Sequence, residues 1–158
     1  PGMVELQIHG NAVPYHGDES YLTRCFQQVQ PGAGVTYFGP YSLEELPDRI
    51  AGIDVLAAPA LWHEAFGLTV REALAAARPA LVSRIGGLQD AVDDGLQGRV
   101  LPPGDVAAWA AAIRELAVDR ALLRRFSDRC RGKARSFAEM AAELVGIYDE
   151  VAKGPAIS

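Results

Sequence analysis

Cysteine is nearly missing from this chain of 158 residues, with Cys25 and Cys130 the two present. Two thiols make no disulfide framework, and neither stands in a Cys-x-x-Cys pair; reduced thiols in a cytoplasmic protein are the simplest reading. No apolar run approaches the roughly 20 residues that a membrane-spanning helix needs. No signal peptide is visible either: residues 1–15 hold Glu5, His9 and Pro14, and no basic stretch precedes an apolar core. Positive charge is in deficit, 15 Lys and Arg against 20 Asp and Glu, for a net charge of −5 and a pI near 5.2. That balance is unsuited to wrapping nucleic acid or an anionic membrane, both of which demand clustered basic groups. Repeats, low-complexity tracts and linkers are also lacking. What is there is a globular mix, 49% hydrophobic and 22% charged, long enough to bury a core in one domain. Starting at Pro1-Gly2 and reaching a strand almost at once, the chain reads as an excised piece.

Short apolar runs alternate with helical periodicity. Strands are expected at Val4–Ile8, Val35–Phe38, Asp54–Ala58, Pro79–Ser83 and Arg99–Leu101, each bounded by Gly or Pro. Helices are expected from Asp18 or Ser20 to about Gln30 (Tyr21, Leu22, Cys25, Phe26 and Val29 inward), over 43–51 behind a Ser42–Glu45 capping box, and over 66–77 with Leu68, Glu72, Ala75 and Ala76 near one face. A turn or two follows Leu88. A helix capped by Asp105 carries Trp109, Ile113 and Leu116, and the next, about 120–134, buries Leu123, Phe126 and Cys130. A last helix, 137–152, stands behind a Ser136–Glu139 capping box. Strands that barely alternate in polarity, each followed by a helix, predict an α/β fold. A Rossmann-like parallel sheet of about five strands has helices on both faces, with further helices at the C-terminus.

In such sheets ligands sit off the carboxyl ends of the strands. The loop after the third strand, Pro59-Ala60-Leu61-Trp62-His63-Glu64-Ala65-Phe66-Gly67-Leu68-Thr69-Val70-Arg71-Glu72, places two carboxylates eight positions apart. On one continuous helix that spacing turns about 80° net and rises about 12 Å, so one face would not hold both. If Glu64 precedes the helix it can turn back over its N-terminus, and both acids can border an elongated pocket. The free N–H groups between them favour an anion such as a diphosphate, and Gly67 permits close backbone approach. The carboxylates would then accept from hydroxyls. The plainer reading makes Glu72 a solvated helix residue and Glu64 an acid favouring the helix dipole. His63 beside Trp62 reads as a loop histidine packing on an aromatic, since it has no carboxylate partner. His9 and His16 lack metal-ligand spacing. Gly86-Gly87 fits a phosphate or sugar cradle and a tight turn equally. Phe38-Gly39-Pro40-Tyr41 offers a planar base a place to lodge, or is packing.

Residues 54–104 carry a resemblance, which extends more loosely to Leu6–Gly10, Val35–Gly39 and the final helix ending at Tyr148. Asp54–Pro59, Trp62–Leu74, Pro79–Ser83, Gly86-Gly87-Leu88, Val92, Asp94-Gly95, Gly98 and Pro102–Asp105 follow in the order of the donor-binding C-terminal domain of retaining GT-B glycosyltransferases, family 4. The Glu-x7-Glu element is that family's hallmark. The resemblance implies a nucleoside-diphosphate sugar donor and a hexosyl transfer with retention. Glu64 would meet the sugar hydroxyls near the anomeric carbon, as nucleophile or as anchor. The backbone of Ala65, Phe66, Gly67, Leu68 and Thr69 would meet sugar and distal phosphate, Glu72 the ribose, and Phe38, Gly39, Pro40 and Tyr41 the base. Gly10, Asn11, Gly86 and Gly87 are additional candidates. It implies no metal or other cofactor, and a glycan, lipid or small-molecule acceptor held by an N-terminal domain outside this chain. The location implied is cytoplasmic, with room for the complete enzyme to lie against the inner membrane face.

The sequence departs from the family at Ala77, where Gly is usual, and at Asp90, where Glu is common. The family's first strand-helix unit, with its basic diphosphate ligands, is not in the sequence, so the isolated chain is expected to lack turnover. Other classes stay open: a sugar-nucleotide epimerase of the same architecture, a non-catalytic nucleotide-sugar-binding module, or a dinucleotide-binding domain. The last is disfavoured because no Gly-x-Gly-x-x-Gly follows the first strand.

Overall fold

The computed structural model describes residues 4–11, 13–14, 16–131 and 137–154, with only the backbone of Phe137. The chain divides into two compact units, Pro1–Gly52 and Ile53–Ser158.

The first unit holds β1 (Leu6–His9), α1 (Tyr21–Gln27), β2 (Val35–Gly39) and α2 (Leu46–Ala51). β1 and β2 pair in parallel, Leu6 opposite Val35, with an irregularity between Ile8 and His9. Asp18 organises the entry to α1. Its carboxylate accepts from the Ser20 N–H at 2.8 Å and pairs with Arg24 at 2.8 Å. The Arg24 guanidinium, together with the Ser20 hydroxyl, holds the Asp18 carboxyl well below the usual carboxylate range. Against expectation Tyr21 points outward and is 67% exposed, and α1 buries no residue fully. The Ser42–Glu45 box forms on one side, with the Ser42 N–H donating to Glu45 Oε2 at 2.9 Å. The helix starts three residues later than expected, at Leu46, because Pro47 lacks an N–H and fits only the first turn.

The second unit holds β3 (Leu56–Ala58), α3 (Leu68–Ala75), β4 (Ala80–Ser83), α4 (Gly86–Ala91), β5 (Gly98–Leu101), α5 (Val106–Val118), α6 (Arg120–Cys130) and α7 (Phe137–Ala152). Its sheet is parallel in the order β3-β4-β5, Leu56 opposite Ala80 and Ala80 opposite Gly98. The five expected strands are thus all present and parallel, in two small sheets of two and three. β4 is buried along its length, which is why it reads as an unbroken apolar run. Ala80 and Val82 meet Val70, Leu74, Leu88 and Cys130 on one face; Leu81 meets Ala112, Leu116 and Phe126 on the other. Asp105 and Asp119 cap α5 and α6 by accepting from Ala108 N and Leu122 N, at 3.0 and 2.8 Å. The Ser136 half of the last capping box lies outside the described residues. Met140, Leu144, Ile147 and Val151 of α7 are all substantially exposed. None of the described helices is long and apolar enough to cross a membrane.

Two features of this packing give testable outcomes. Cys130 is fully buried, and burial pushes its thiol up from 9.0 to about 11. The unfolded chain therefore loses this proton first as pH rises. The thiol's contribution to stability is constant below pH 9 and declines between pH 9 and about 11. Iodoacetamide at pH 8 should label half-buried Cys25 in the folded chain and reach Cys130 only after unfolding. Ala77, in turn, sits after α3 at φ 57, while Arg78 N–H donates to Ala73 O at 2.8 Å in a Schellman closure. A side chain there is strained, which accounts for the glycine usual in the family the sequence resembles. Ala77→Gly should raise stability by about 1 kcal/mol, read as a higher midpoint in urea.

Candidate functional site

The loop after β3 and the start of α3 enclose a cavity of about 270 Å3 lined by, among others, Pro59, Trp62, Glu64, Gly67, Leu68 and Thr69. α3 begins two residues later than periodicity predicts because Gly67 caps it in the left-handed region, at φ 68 and ψ 53. A Cβ on Gly67 would also come within 2.8 Å of Leu88 Cδ2. This cap brings no side-chain acceptor, and the N–H groups of Val70 and Arg71 bond back to Gly67 O at 3.1 and 3.2 Å. Among the described residues, no acceptor meets the Leu68 or Thr69 N–H. Both residues line the cavity, at the positive end of the helix. The buried stripe of α3 is Val70, Ala73 and Leu74, so Leu68, at 63% exposure, faces outward.

Glu64 precedes the helix, as the pocket reading requires, and is half-buried. Its carbonyl accepts from Gly87 N–H at 2.7 Å, and its carboxylate accepts from Trp62 Nε1 at 3.0 Å. Gly86 and Gly87 lie against this segment. A Cβ on Gly86 would stand 2.4 Å from Glu64 O, and one on Gly87 2.4 Å from Ala65 O. The glycine pair therefore holds the Glu64 loop, and the Gly87 N–H is already engaged within the protein. Phe66 is half-exposed, and Arg71 braces it. The Arg71 Nε donates to Phe66 O at 3.2 Å, with the guanidinium 4.0 Å from the ring centre. Glu72 is half-buried one turn along α3 and is not among the residues lining the cavity. His63 is exposed, and among the described residues no ring stacks on it.

In the first unit, Gly10 and Gly39 are joined by a Gly10 N–H to Gly39 O bond of 2.9 Å, and Tyr37 Oη donates to Gly10 O at 2.6 Å. Phe38 is 46% exposed, stacked on His9 at 4.9 Å and 12°, and Tyr41 meets His9 edge-on at 6.1 Å. Phe38 is thus not the core residue of the plainer reading. Asn11 and Pro40 are exposed. The Trp62–Glu64 bond and the Arg71 brace escaped the sequence reading, since nothing in two- and five-residue spacings within a loop distinguishes them.

The profile of the family Glycosyl transferases group 1 matches residues 4–133. The chain belongs to this family. It is 32% identical over 152 residues to a D-inositol 3-phosphate glycosyltransferase of Geodermatophilus obscurus, covering 94% of this chain and 33% of that protein. The Streptomyces coelicolor protein of the same name is 36% identical over 116 residues, 72% of this chain and 25% of its own. The chain thus spans about a third or less of these group 1 relatives. Its fold matches sucrose-phosphate synthase from Thermosynechococcus elongatus with a TM-score of 0.81 at 25% identity, over 96% of this chain and 39% of that one. Anabaena HepE, solved with UDP and glucose, gives 0.81 at 19% identity, over 95% and 42%. The α/β fold with parallel strands is that of GT-B glycosyltransferases.

Proposed function

We propose that this group 1 chain is the donor-binding part of a retaining family 4 glycosyltransferase that transfers a hexosyl group from a nucleoside diphosphate. The observation that carries the reading is a carboxylate, Glu64, lining the same cavity as the start of α3, whose Gly67 cap supplies no side-chain acceptor. The two groups suit the two ends of an activated sugar. A carboxylate accepts from hydroxyls, and the Leu68 and Thr69 N–H groups donate to phosphate oxygens. Support comes also from HepE, a fold relative solved with UDP-glucose.

In this reading the leaving diphosphate gathers charge as the glycosidic bond breaks, and the fixed dipoles of α3 stabilise it without having to reorganise. Glu64 anchors the sugar hydroxyls rather than attacking the anomeric carbon. Glu72 takes the ribose, and Phe38 to Tyr41 keep the base-binding role, supported within their own unit by an exposed ring. The chemistry calls for no metal. The acceptor, a glycan, lipid or small molecule, belongs to the rest of the enzyme, which we place in the cytoplasm.

Calorimetric titration with UDP-, GDP- and ADP-glucose tests this. One of the three should bind saturably, with its sugar-free diphosphate competing and NAD failing to compete. Binding of NAD instead would favour a dinucleotide domain, and release of free isomerised sugar without an acceptor would favour an epimerase.

A further inference from the structure

Resting on that reading of Glu64, we infer that Trp62 is the positioning residue that sets its carboxylate. Trp62 stands two residues before Glu64, is 66% exposed, and lines the same cavity. Its indole N–H is a donor only and donates to Glu64 Oε1 at 3.0 Å. Among the described residues, no other donor meets that carboxylate. The backbone of Glu64 is fixed separately, by the Gly87 N–H at 2.7 Å and by the close approach of Gly86. Glu64 is therefore held at two points, its main chain by the glycine pair and its side chain by the indole.

The consequence is chemical. A free Glu side chain rotates about its terminal torsion and must be ordered when a ligand arrives. The indole engages one carboxylate oxygen, restrains that torsion, and leaves Oε2 with its full accepting capacity for a hydroxyl. Exposure of the ring fits this role: the indole contributes little to the core, and its polar edge is used at the site.

The test uses this chain, UDP-glucose, and UDP as the sugar-free control, with the variants W62F, E64Q and W62F/E64Q. W62F keeps the ring and removes the N–H. It should weaken UDP-glucose binding about fivefold, the scale of one ordinary net hydrogen bond because the indole acts on the sugar only through Glu64, and leave UDP affinity within about twofold. The double variant should bind UDP-glucose no worse than E64Q alone, because Trp62 acts through Glu64. Independently of any ligand, the Trp62 indole N–H resonance should move toward the free-indole position in E64Q. W62F that binds like the wild type while E64Q is impaired would overturn the role of Trp62 and leave that of Glu64 standing. Effects of W62F and E64Q that simply add would also overturn it. An unimpaired E64Q would strike the reading of Glu64 itself, and the positioning role with it.

Discussion

Glu64→Gln should lower sugar transfer about a thousandfold in the complete transferase, while donor affinity falls only about tenfold. The substitution keeps shape, length and one carbonyl oxygen, so the loop that Gly86 and Gly87 support has no reason to move. What it removes is the negative charge that the proposed function sets beside the sugar. A hydroxyl bonded to a carboxylate is held more strongly than one bonded to an amide, which accounts for the loss in binding. The larger loss in turnover follows from charge that develops only as the bond to the diphosphate breaks. The sugar becomes cationic in the transition state, and a fixed carboxylate favours that state over the bound donor. Steady-state kinetics separates the two effects: kcat should carry most of the change. Equal losses in kcat/KM and in binding, with kcat intact, would make Glu64 a ground-state contact only.

Gly98→Ala should cost more stability than a methyl group added at any other described glycine, since its Cβ would make the closest contact among them. Gly98 opens β5 directly opposite Ala80 in the parallel ladder. A Cβ there would lie 1.8 Å from Ala80 O and 2.7 Å from Ala80 C, main-chain atoms of the fully buried strand β4. No side-chain rotation relieves such a contact, so the start of the β4–β5 pairing must separate. The cost is about 3 kcal/mol, the upper range for overpacking, and the thermal midpoint should fall by roughly 10 °C. Gly146, in the exposed middle of α7, supplies the contrast. Nothing lies within 4 Å of its would-be Cβ, and Gly146→Ala should stabilise by about 0.5–1 kcal/mol. Thermal unfolding followed by circular dichroism reads both, and similar midpoints for the two variants would contradict the packing account.

Much of the architecture was legible because burial leaves periodic traces. The apolar run Ala80–Ser83 and the stripe Leu123, Phe126 and Cys130 gave a buried strand and a helix face without ambiguity, and Asp105 announced its helix by its capping chemistry. Boundaries fell short where backbone conformation decided them. Gly67 in the left-handed region starts α3 at Leu68, and Pro47 delays α2. The division after Gly52 has no compositional marker, since no Gly- or Ser-rich linker stands there. At the site, the spacing of Glu64 and Glu72 suggested a shared pocket, but which acid lines the cavity depends on where the helix begins. Gly86-Gly87 read equally as cradle or turn. Its contacts with Glu64 and Ala65 are long-range and invisible to local pattern.

The most direct measurement is a titration of the isotopically labelled chain with UDP-glucose and with UDP, followed by the backbone amide resonances. The account predicts that both ligands shift the Leu68 and Thr69 N–H resonances, where the diphosphate is held, and that the shifts around Glu64 and Phe66 need the sugar. Saturable binding that leaves the Leu68 and Thr69 amides unmoved would contradict it.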